Sequence, residues 1–355
     1  MKEIVLLSCM LMLASPAAQA AGFLDWLEAH SSKSGSAAKT VPPTDDARLL
    51  TLEPGENEMY PKVSPNGKAL LVVSGKQRQQ VVTRRVLENG DPVNVVSDDN
   101  DALDSIAWYG NDRVTFLSSR AGGIGLWDKV VNGNGVLHRI HRLDGRLLQP
   151  VALADGSMLA VRLFSTDSHK QSGSVKKHET FMNWEFPKAQ PHIVHITSDG
   201  VERDLTAGVN PAVSPDGTRV VFSMQAGRSM HLFMMRVDGS DLIQLTDERS
   251  MDVQPAWSPN GKWIVFTSNR SEADMRHPRE GNWDIWAVDI QGRNIAQLTK
   301  DEARDGGANV GADGRVYFHS DRKVSKEEAE QHQVKGSNSG FHIWSVPFPE
   351  AKKAS

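Results

Sequence analysis

The fold is decided by Asn210–Gly217 (NPAVSPDG), which recurs as Gln254–Gly261 (QPAWSPNG) and Tyr60–Gly67 (YPKVSPNG). A β-rich run follows each copy. The Asp-Gly or Asn-Gly pair supplies the positive φ angles that a tight hairpin turn needs, and the preceding proline fixes the entry into that turn. Each copy therefore predicts a strand, a tight turn and a second strand.

Weaker copies of this unit fill the rest of the chain. The turn positions are about 44 residues apart in most units, and they fall at Gly67, Asp112, Gly156, Gly217, Gly261 and Gly314. The second half of the unit repeats too, since Asp284–Val288 resembles His231–Val237 and both runs lead to a Leu-Thr pair. Four short strands at this period are typical of a propeller blade. The sequence therefore predicts an all-β fold, a six-bladed β-propeller of four-stranded antiparallel blades.

The sixth unit stops after its third strand, Phe341–Val346. A candidate for the missing fourth strand lies near the other end of the chain, where Arg48–Thr51 carries the same Leu-Thr ending. We therefore predict that residues 47–52 pair with residues 341–347, so that an N-terminal strand completes the last blade and closes the ring. The propeller would span residues 47–349, with a C-terminal tail at 350–355.

The first twenty residues have the pattern of a signal peptide. An apolar run at 4–14, too short to span a bilayer, precedes the small-residue pattern Ala18-Gln19-Ala20. We expect residues 1–20 to be removed and 21–46 to form a short helix and a linker; a buried N-terminal helix is the alternative for the apolar run. Cys9, the single cysteine, would leave with the signal peptide, so no disulfide is expected. These features predict an exported, periplasmic protein with no transmembrane segment.

Charge and composition exclude some classes of partner. The chain has 40 Lys+Arg against 44 Asp+Glu, a formal net charge of −4. A slightly acidic chain lacks the basic face that non-specific nucleic-acid binding needs. We expect no nucleic-acid partner and a monomeric protein.

Several motifs resemble the propeller of the TolB family and its wider group of WD-like repeat proteins. They are PAWSPNG at 255–261, FTSNR at 266–270, DIW at 284–286 and LT at 298–299, and the resemblance covers residues 47–349. It implies a cell-envelope partner, such as a secreted protein or a peptidoglycan-associated lipoprotein. TolB itself carries an α/β domain before its propeller and an N-terminal arm that engages TolA. With only residues 21–46 before the ring, we expect neither feature here, and the chain resembles a propeller-only relative.

Three long loops between the second and third strands of a blade should meet on one rim of the propeller. They span about 165–191, 270–282 and 322–340. Loops on a rigid scaffold concentrate binding residues. The predicted ligand- or partner-binding residues of this rim are His169, His178, Trp184, Arg276, His277, Arg279 and His332. The alternative is variation in loop length without function.

Acidic residues recur where the first strand of a blade begins. Glu58, Asp104, Asp252 and Asp305 fall at or next to one repeat position, so they are predicted to converge at the mouth of the central channel. Carboxylates suit a hard cation, and Glu58, Asp252 and Asp305 are the candidate ligands of a calcium ion, although no cofactor is expected to be required. The alternative is pairing with backbone amides or nearby arginines.

A third pattern, Phe-x-Ser-x-Arg, ends at Arg120, Arg270 and Arg322. Arginine can clamp an acidic ligand through its bidentate fork. A signature repeated in several blades is more often structural, with each arginine paired to an acid in its own or the adjacent blade. We predict the structural role.

Catalytic motifs are scarce, and we assign no catalytic residue. The sequence therefore favours a binding module of the cell envelope over an enzyme. The alternative is a lyase or hydrolase that acts on a periplasmic saccharide or peptide, with a His/Asp/Arg site on the loop-rich face. A structural domain stabilised by a cation is a third hypothesis.

Overall fold

The computed structural model describes residues 46–348, except 77–78, 104, 133–134, 146, 166–180, 187, 272, 274–275, 278–280 and 335–338. The predicted signal peptide, the N-terminal helix and linker, and the C-terminal tail lie outside this range. The described residues form six four-stranded antiparallel sheets. The prediction of a six-bladed β-propeller is therefore confirmed.

In each blade, strands A to D run from the centre of the ring outwards. Blade 1 contains β2 (Asn57–Val63), β3 (Ala69–Lys76), β4 (Gln79–Val86) and β5 (Pro92–Ser97). Blade 2 contains β6 (Ala107–Trp108), β7 (Arg113–Ser118), β8 (Gly125–Val130) and β9 (His138–Arg142). Blade 3 contains β10 (Leu147–Ala152), β11 (Met158–Ser165), β12 (Ala189–Ile196) and β13 (Glu202–Ala207). A 3₁₀ turn, Asn100–Ala102, precedes β6.

Blades 4 to 6 follow the same order. Blade 4 contains β14 (Val209–Val213), β15 (Arg219–Ala226), β16 (Ser229–Arg236) and β17 (Ile243–Gln244). Blade 5 contains β18 (Asp252–Trp257), β19 (Trp263–Ser268), β20 (Asp284–Asp289) and β21 (Ile295–Gln297). Blade 6 contains β22 (Asp305–Val310), β23 (Arg315–Ser320) and β24 (His342–Pro347), with β1 (Arg48–Leu49) as its outer strand. A short helix, α1 (Lys326–Gln331), lies between β23 and β24 and begins with a capping box at Ser325.

Ring closure follows the prediction. Arg48 pairs with Ser345 and Leu49 with Trp344, antiparallel. The Leu50 amide donates to the Ile343 carbonyl at 2.8 Å. The edge of β24 is thereby covered, which removes a free strand edge that could pair with another chain.

The two ends of the propeller differ in character. One end carries the A–B and C–D hairpin turns, and we call it the turn face; residues 64–68, 214–218 and 258–262 belong to it. The other end carries the B–C loops and the D–A connections, and we call it the loop face; residues 181–186 and 321–334 belong to it. Apolar residues from neighbouring blades pack between the sheets into shared clusters, as Phe266 of blade 5 does with Leu232 of blade 4.

Candidate functional site

Two of the predicted acidic residues, Asp252 and Asp305, are held inside their own blades. Asp252 is fully buried where β18 begins. Its carboxylate accepts hydrogen bonds from the Ser268 hydroxyl at 2.6 Å and from the Arg270 guanidinium at 2.6 Å. Asp305 pairs with Arg322 at 2.7 Å in the same way. In blades 5 and 6, the arginines of the Phe-x-Ser-x-Arg pattern therefore form ion pairs with buried acidic residues of their own blades.

Two aromatic rings enclose each of these arginines. The guanidinium of Arg270 lies 5.3 Å from the ring centroids of both Phe266 and Trp286. Arg322 lies 5.3 Å from Phe318 and 5.2 Å from Trp344. Cation–π contacts of this kind gain strength when the cation is shielded from water. The ion pair thus lies in one repeated module, which consists of the phenylalanine and serine of strand B and the tryptophan of strand C.

Blade 2 contains the same module with an acid that the sequence analysis missed. Arg120 contacts Phe116 and Trp127 at 5.6 and 5.8 Å. Its carboxylate partner is Asp99, at 3.1 Å. The predicted Asp104 lies outside the described residues. Asp99 is the N-cap residue of the 3₁₀ turn Asn100–Ala102. An aspartate is a preferred N-cap residue, and this was the available signal in the sequence.

Blade 1 uses a different arrangement. Glu58 is fully buried and lies 3.0 Å from the guanidinium of Arg85, which comes from strand C rather than from the end of strand B. The other oxygen of Glu58 lies 3.1 Å from Nδ1 of His342 in blade 6. The Glu58 amide also donates to the Phe341 carbonyl at 2.7 Å. This network joins the first blade to the last on the loop face.

Burial makes the carboxyl group of Asp305 a weak acid. Burial raises its pKa to about 7, because the desolvation cost exceeds the attraction of Arg322, and the neighbouring Asp301 raises the pKa further. Asp301 itself lies 2.9 Å from Arg322. One arginine therefore serves two carboxyl groups in blade 6.

These pairings bear on the calcium hypothesis. Glu58, Asp252 and Asp305 each have an arginine of their own blade within 3.0 Å. Within the described ranges, no group of three or more His, Cys, Asp or Glu residues is placed to hold a metal ion. A calcium ion at the channel mouth thus stays a prediction from the sequence.

The segment Phe181–Phe186 fills the channel mouth. The Phe181 carbonyl accepts hydrogen bonds from Gln254 of blade 5 at 3.1 Å and from the Tyr60 hydroxyl of blade 1 at 3.4 Å. The Asn183 carbonyl accepts from Gln149 of blade 3 at 3.0 Å. Contacts to blades this far apart place the segment across the axis of the ring.

Aromatic packing holds this segment in place. Phe181 stacks on Phe341 with ring centroids 5.7 Å apart, and Trp184 lies 5.2 Å from Trp283. The sequence predicts Trp184 as a partner-binding residue of the rim. The structure instead buries it to 4% exposure in an apolar cluster with Met59 and Met230. Trp184 therefore contributes packing at the channel mouth rather than an exposed binding surface.

A chain of polar contacts runs around the channel below this segment. In blades 3, 4 and 5 a bulge in strand A puts Gln149, Asn210 and Gln254 at φ values of 48°, 53° and 52°. The Asn210 amide donates to Gln149 at 2.7 Å, and the Gly307 amide of blade 6 donates to Gln254 at 2.7 Å. Each bulge side chain thus bonds the bulge backbone of the next blade and fixes the spacing between blades.

His319 completes this chain in blade 6, where Gly306 and Gly307 leave no bulge side chain. Its Nδ1 accepts from the Tyr60 amide at 3.3 Å, so Nδ1 is unprotonated. Burial, and then the charge of Arg304, lower its pKa to about 3. A Cβ on Gly307 would come within 2.7 Å of the imidazole. His319 is therefore a neutral structural residue that occupies the space that the glycines leave.

The remaining rim residues have mixed placements. Arg276 and His277 are exposed in the B–C loop of blade 5, and His332 is partly exposed at the end of α1. His169, His178 and Arg279 lie outside the described residues. Of the four predicted rim residues that the structure describes, three thus reach solvent on the loop face, on two different blades.

A search of the described helices finds none with the length and apolar character needed to cross a membrane.

Comparisons with known proteins agree with the repeat pattern. The family model for the TolB beta propeller domain matches residues 171–277. An uncharacterized protein of Agrobacterium fabrum is 34% identical over 103 residues, which are 28% of this chain and 35% of that protein. The Tol-Pal system protein TolB of Syntrophus aciditrophicus is 31% identical over 85 residues, 23% of this chain and 17% of that protein. The matched segments thus span well under two thirds of either relative.

A solved structure shows the same fold over a longer range. It comes from Agrobacterium tumefaciens, is described as a candidate TolB, and superimposes with a TM-score of 0.56 at 20% identity. The match covers 85% of this chain and 94% of that one. At this identity the likeness concerns the fold alone.

Proposed function

We propose that the chain is a TolB-like β-propeller protein that acts in the periplasm as a protein-interaction module of the cell envelope. The proposed binding surface is the loop face. Its partner would be an envelope protein or a secreted protein, and a peptidoglycan-associated lipoprotein is the candidate that the TolB resemblance implies. Because the aligned segments cover small parts of the curated relatives, this role rests on the site of the present chain.

One observation carries the proposal: the polar groups nearest the channel mouth are buried and used within the fold. His319 and His342 are both fully buried, and each bonds a neighbouring blade. Asp252 and Asp305 are also fully buried, with arginine partners. Substrate chemistry needs an acid or base within hydrogen-bond reach of a bound substrate. These four side chains have no such access, which favours binding over catalysis at this face.

The exposed part of the loop face is suited to a protein partner. Arg276 and His277 extend from blade 5, and α1 and His332 extend from blade 6, above a channel mouth that Phe181–Phe186 fills. Among the residues that the structure describes, the filled mouth leaves a surface of loops on a rigid ring. Loops on such a scaffold are common interaction sites.

A pull-down from envelope extract tests the proposal. We expect the intact protein to retain a specific partner, and a variant with Arg276→Glu and His277→Glu to retain at least about tenfold less, because reversed charge at an interface opposes association. The matched control is Arg293→Glu, which reverses an exposed charge in the C–D turn of blade 5, on the turn face. Equal recovery with the intact protein and the loop variant would contradict the proposal.

A further inference from the structure

Two arginines lie side by side on the turn face of blade 4. Arg219 begins β15, Arg236 ends β16, and the two are directly opposed in the antiparallel register. Both side chains are exposed. Like charges that face each other across a strand pair destabilise a sheet. Such a pair therefore needs an explanation beyond folding.

Other blades show how the fold normally treats an arginine at this position. Arg113 begins strand B of blade 2, and its Nε donates to Asp128 at 2.9 Å. Arg315 begins strand B of blade 6 and donates to the Ser345 carbonyl at 2.9 Å. Asp128 and Ser345 occupy the same register position, two residues before the end of the paired strand C segment.

Blade 4 has no acceptor at this register position. The equivalent residue is Met234, which is buried and apolar. Within the part of the chain that the structure describes, the guanidinium groups of Arg219 and Arg236 form no ion pair and no hydrogen bond. Blade 4 thus departs from its own repeat by leaving two adjacent guanidinium groups available to a ligand.

These arginines line a groove between blades 4 and 5 with a volume of about 380 Å³. Its apolar walls are Trp257, Pro215, Pro259 and Ile290. The Trp257 indole donates to the Ala212 carbonyl at 2.8 Å, which fixes the ring against blade 4. The groove therefore combines a cationic edge with a rigid aromatic surface.

Asp216, which also lines the groove, and the nearby Asp238 accept hydrogen bonds from their own turns. Asp216 accepts from the Ser214 hydroxyl at 2.5 Å and the Thr218 amide at 3.0 Å, and these bonds lower its pKa to about 2. Asp238 accepts from the amide and hydroxyl of Ser240 at 2.9 and 2.6 Å. Both carboxylates reduce the positive charge, but neither occupies the space beside the two guanidinium groups as an ion-pair partner.

We propose that this groove binds an acidic, extended segment of a protein partner. A carboxylate of that segment lies between Arg219 and Arg236, where guanidinium forks can bind it with charge-assisted hydrogen bonds. A neighbouring apolar or proline side chain packs on Trp257. This contact surface is separate from the proposed loop-face site, since it lies on the opposite end of the ring.

The groove favours a peptide over a small free anion. Arg219 and Arg236 are exposed to water, so a lone anion would gain only a weak charge contact that water and salt screen. A peptide adds contacts with the indole and the two prolines, which contribute apolar burial that salt does not screen. A peptide segment that carries both acidic and apolar side chains can contact the two arginines and the apolar walls at the same time.

Fluorescence anisotropy with a defined peptide tests this inference. The probe is a short fluorescein-labelled peptide of glutamate, leucine and proline, and its control replaces every glutamate with glutamine. We expect Arg219→Gln and Arg236→Gln each to weaken binding of the glutamate peptide about tenfold, because each removes a charge-assisted hydrogen bond. Arg228→Gln removes the same charge from the other end of blade 4 and should leave binding unchanged.

Several results would overturn the inference. They are equal binding of the glutamate and glutamine peptides, unchanged affinity in the Arg219→Gln, Arg236→Gln double variant, or no binding of the glutamate peptide by the intact protein. Binding of inorganic phosphate without binding of the peptide would assign the groove to a small anion instead. Thermal unfolding of each variant shows that the affinity changes are not loss of fold. Loss of the loop-face partner in the pull-down leaves this result unaffected, so the two proposals fail separately.

Discussion

Asp284 shows how burial can raise the pKa of a carboxyl group. It is fully buried where β20 begins, and no arginine of the described residues forms an ion pair with it. One oxygen accepts from the Ser271 hydroxyl at 2.5 Å and from Gln297 at 3.0 Å. Burial raises its pKa to about 6, and Asp301 adds to this rise. The neutral form therefore suits this site better than the charged form.

The raised pKa predicts a pH-dependent stability. Between the ordinary carboxyl pKa and about 6, the folded state keeps a proton that the unfolded chain has lost. The contribution of Asp284 to stability is complete below the ordinary value and is lost as the pH rises through the folded pKa. We expect Asp284→Asn, which mimics the neutral acid, to be more stable than the parent protein at pH 8 by roughly 3 kcal/mol.

Urea unfolding at several pH values measures this difference. The gap between Asp284→Asn and the parent protein should shrink as the pH falls from 8 towards 4, since both side chains are then neutral. Asp216→Asn is a useful comparison, because the pKa of Asp216 is lowered to about 2 and its contribution is lost only in acid. A gap for Asp284→Asn that stays constant with pH would contradict the assignment.

At the scale of elements, the repeated module around the arginine of blades 2, 5 and 6 links a sequence motif to its side-chain packing. The Phe-x-Ser-x-Arg pattern at the end of strand B predicts an arginine beyond the strand, and alternation along the strand puts phenylalanine and serine on the same side as that arginine. The strand A acid and the strand C tryptophan complete the module, as in Asp252 and Trp286 around Arg270. The structural role of these arginines was therefore predictable from the repeat.

This module predicts a large cost for removing its arginine. Arg270→Ala leaves the fully buried carboxylate of Asp252 without a counter-charge, and we expect the free energy of unfolding to fall by about 3 kcal/mol. The double variant Asp252→Asn, Arg270→Ala should lose less than the sum of the two single changes, because the two residues act as one pair. Chemical denaturation of the four proteins forms a double-mutant cycle, and strictly additive effects would contradict the module.

The elements that sequence analysis missed depend on chain geometry that the repeat does not encode. Asp99 reaches Arg120 because a 3₁₀ turn, Asn100–Ala102, brings it back over strand β7. Phe181–Phe186 crosses the channel because residues of five blades contact it. From the sequence, its position in a long loop predicted an exposed rim instead. The apolar composition of this segment (FMNWEF) was the available signal, and it indicates burial of Trp184.

At the scale of the whole molecule, the ring depends on its closing strand. The incomplete sixth unit and the Leu-Thr ending at residues 50–51 were enough to predict the pairing of β1 with β24, because each blade needs a fourth strand. The network of Glu58, Arg85 and His342 adds a second link between the first and last blades, and the repeat did not predict it. Closure is thus visible in the sequence, while the side chains that reinforce it are not.

Removal of the closing strand should weaken the entire ring. We compare a chain that begins at residue 46 with one that begins at residue 53 and so lacks β1 together with Thr51 and Leu52, which are buried. We expect the shorter chain to lose at least about 2 kcal/mol of stability, from lost apolar burial and from the exposed edge of β24. Thermal unfolding measures the loss, and equal melting temperatures would show that closure contributes little.

Photo-crosslinking in intact cells tests the central claim, that the loop face binds an envelope protein. A benzophenone amino acid replaces His277 on the loop face in one variant and Val201, an exposed turn-face residue of blade 3, in the other. The account predicts a specific crosslinked envelope protein from position 277, lost when Arg276→Glu is added, and none of that protein from position 201. The same protein crosslinked equally from both positions, or no crosslink from position 277, would contradict the claim.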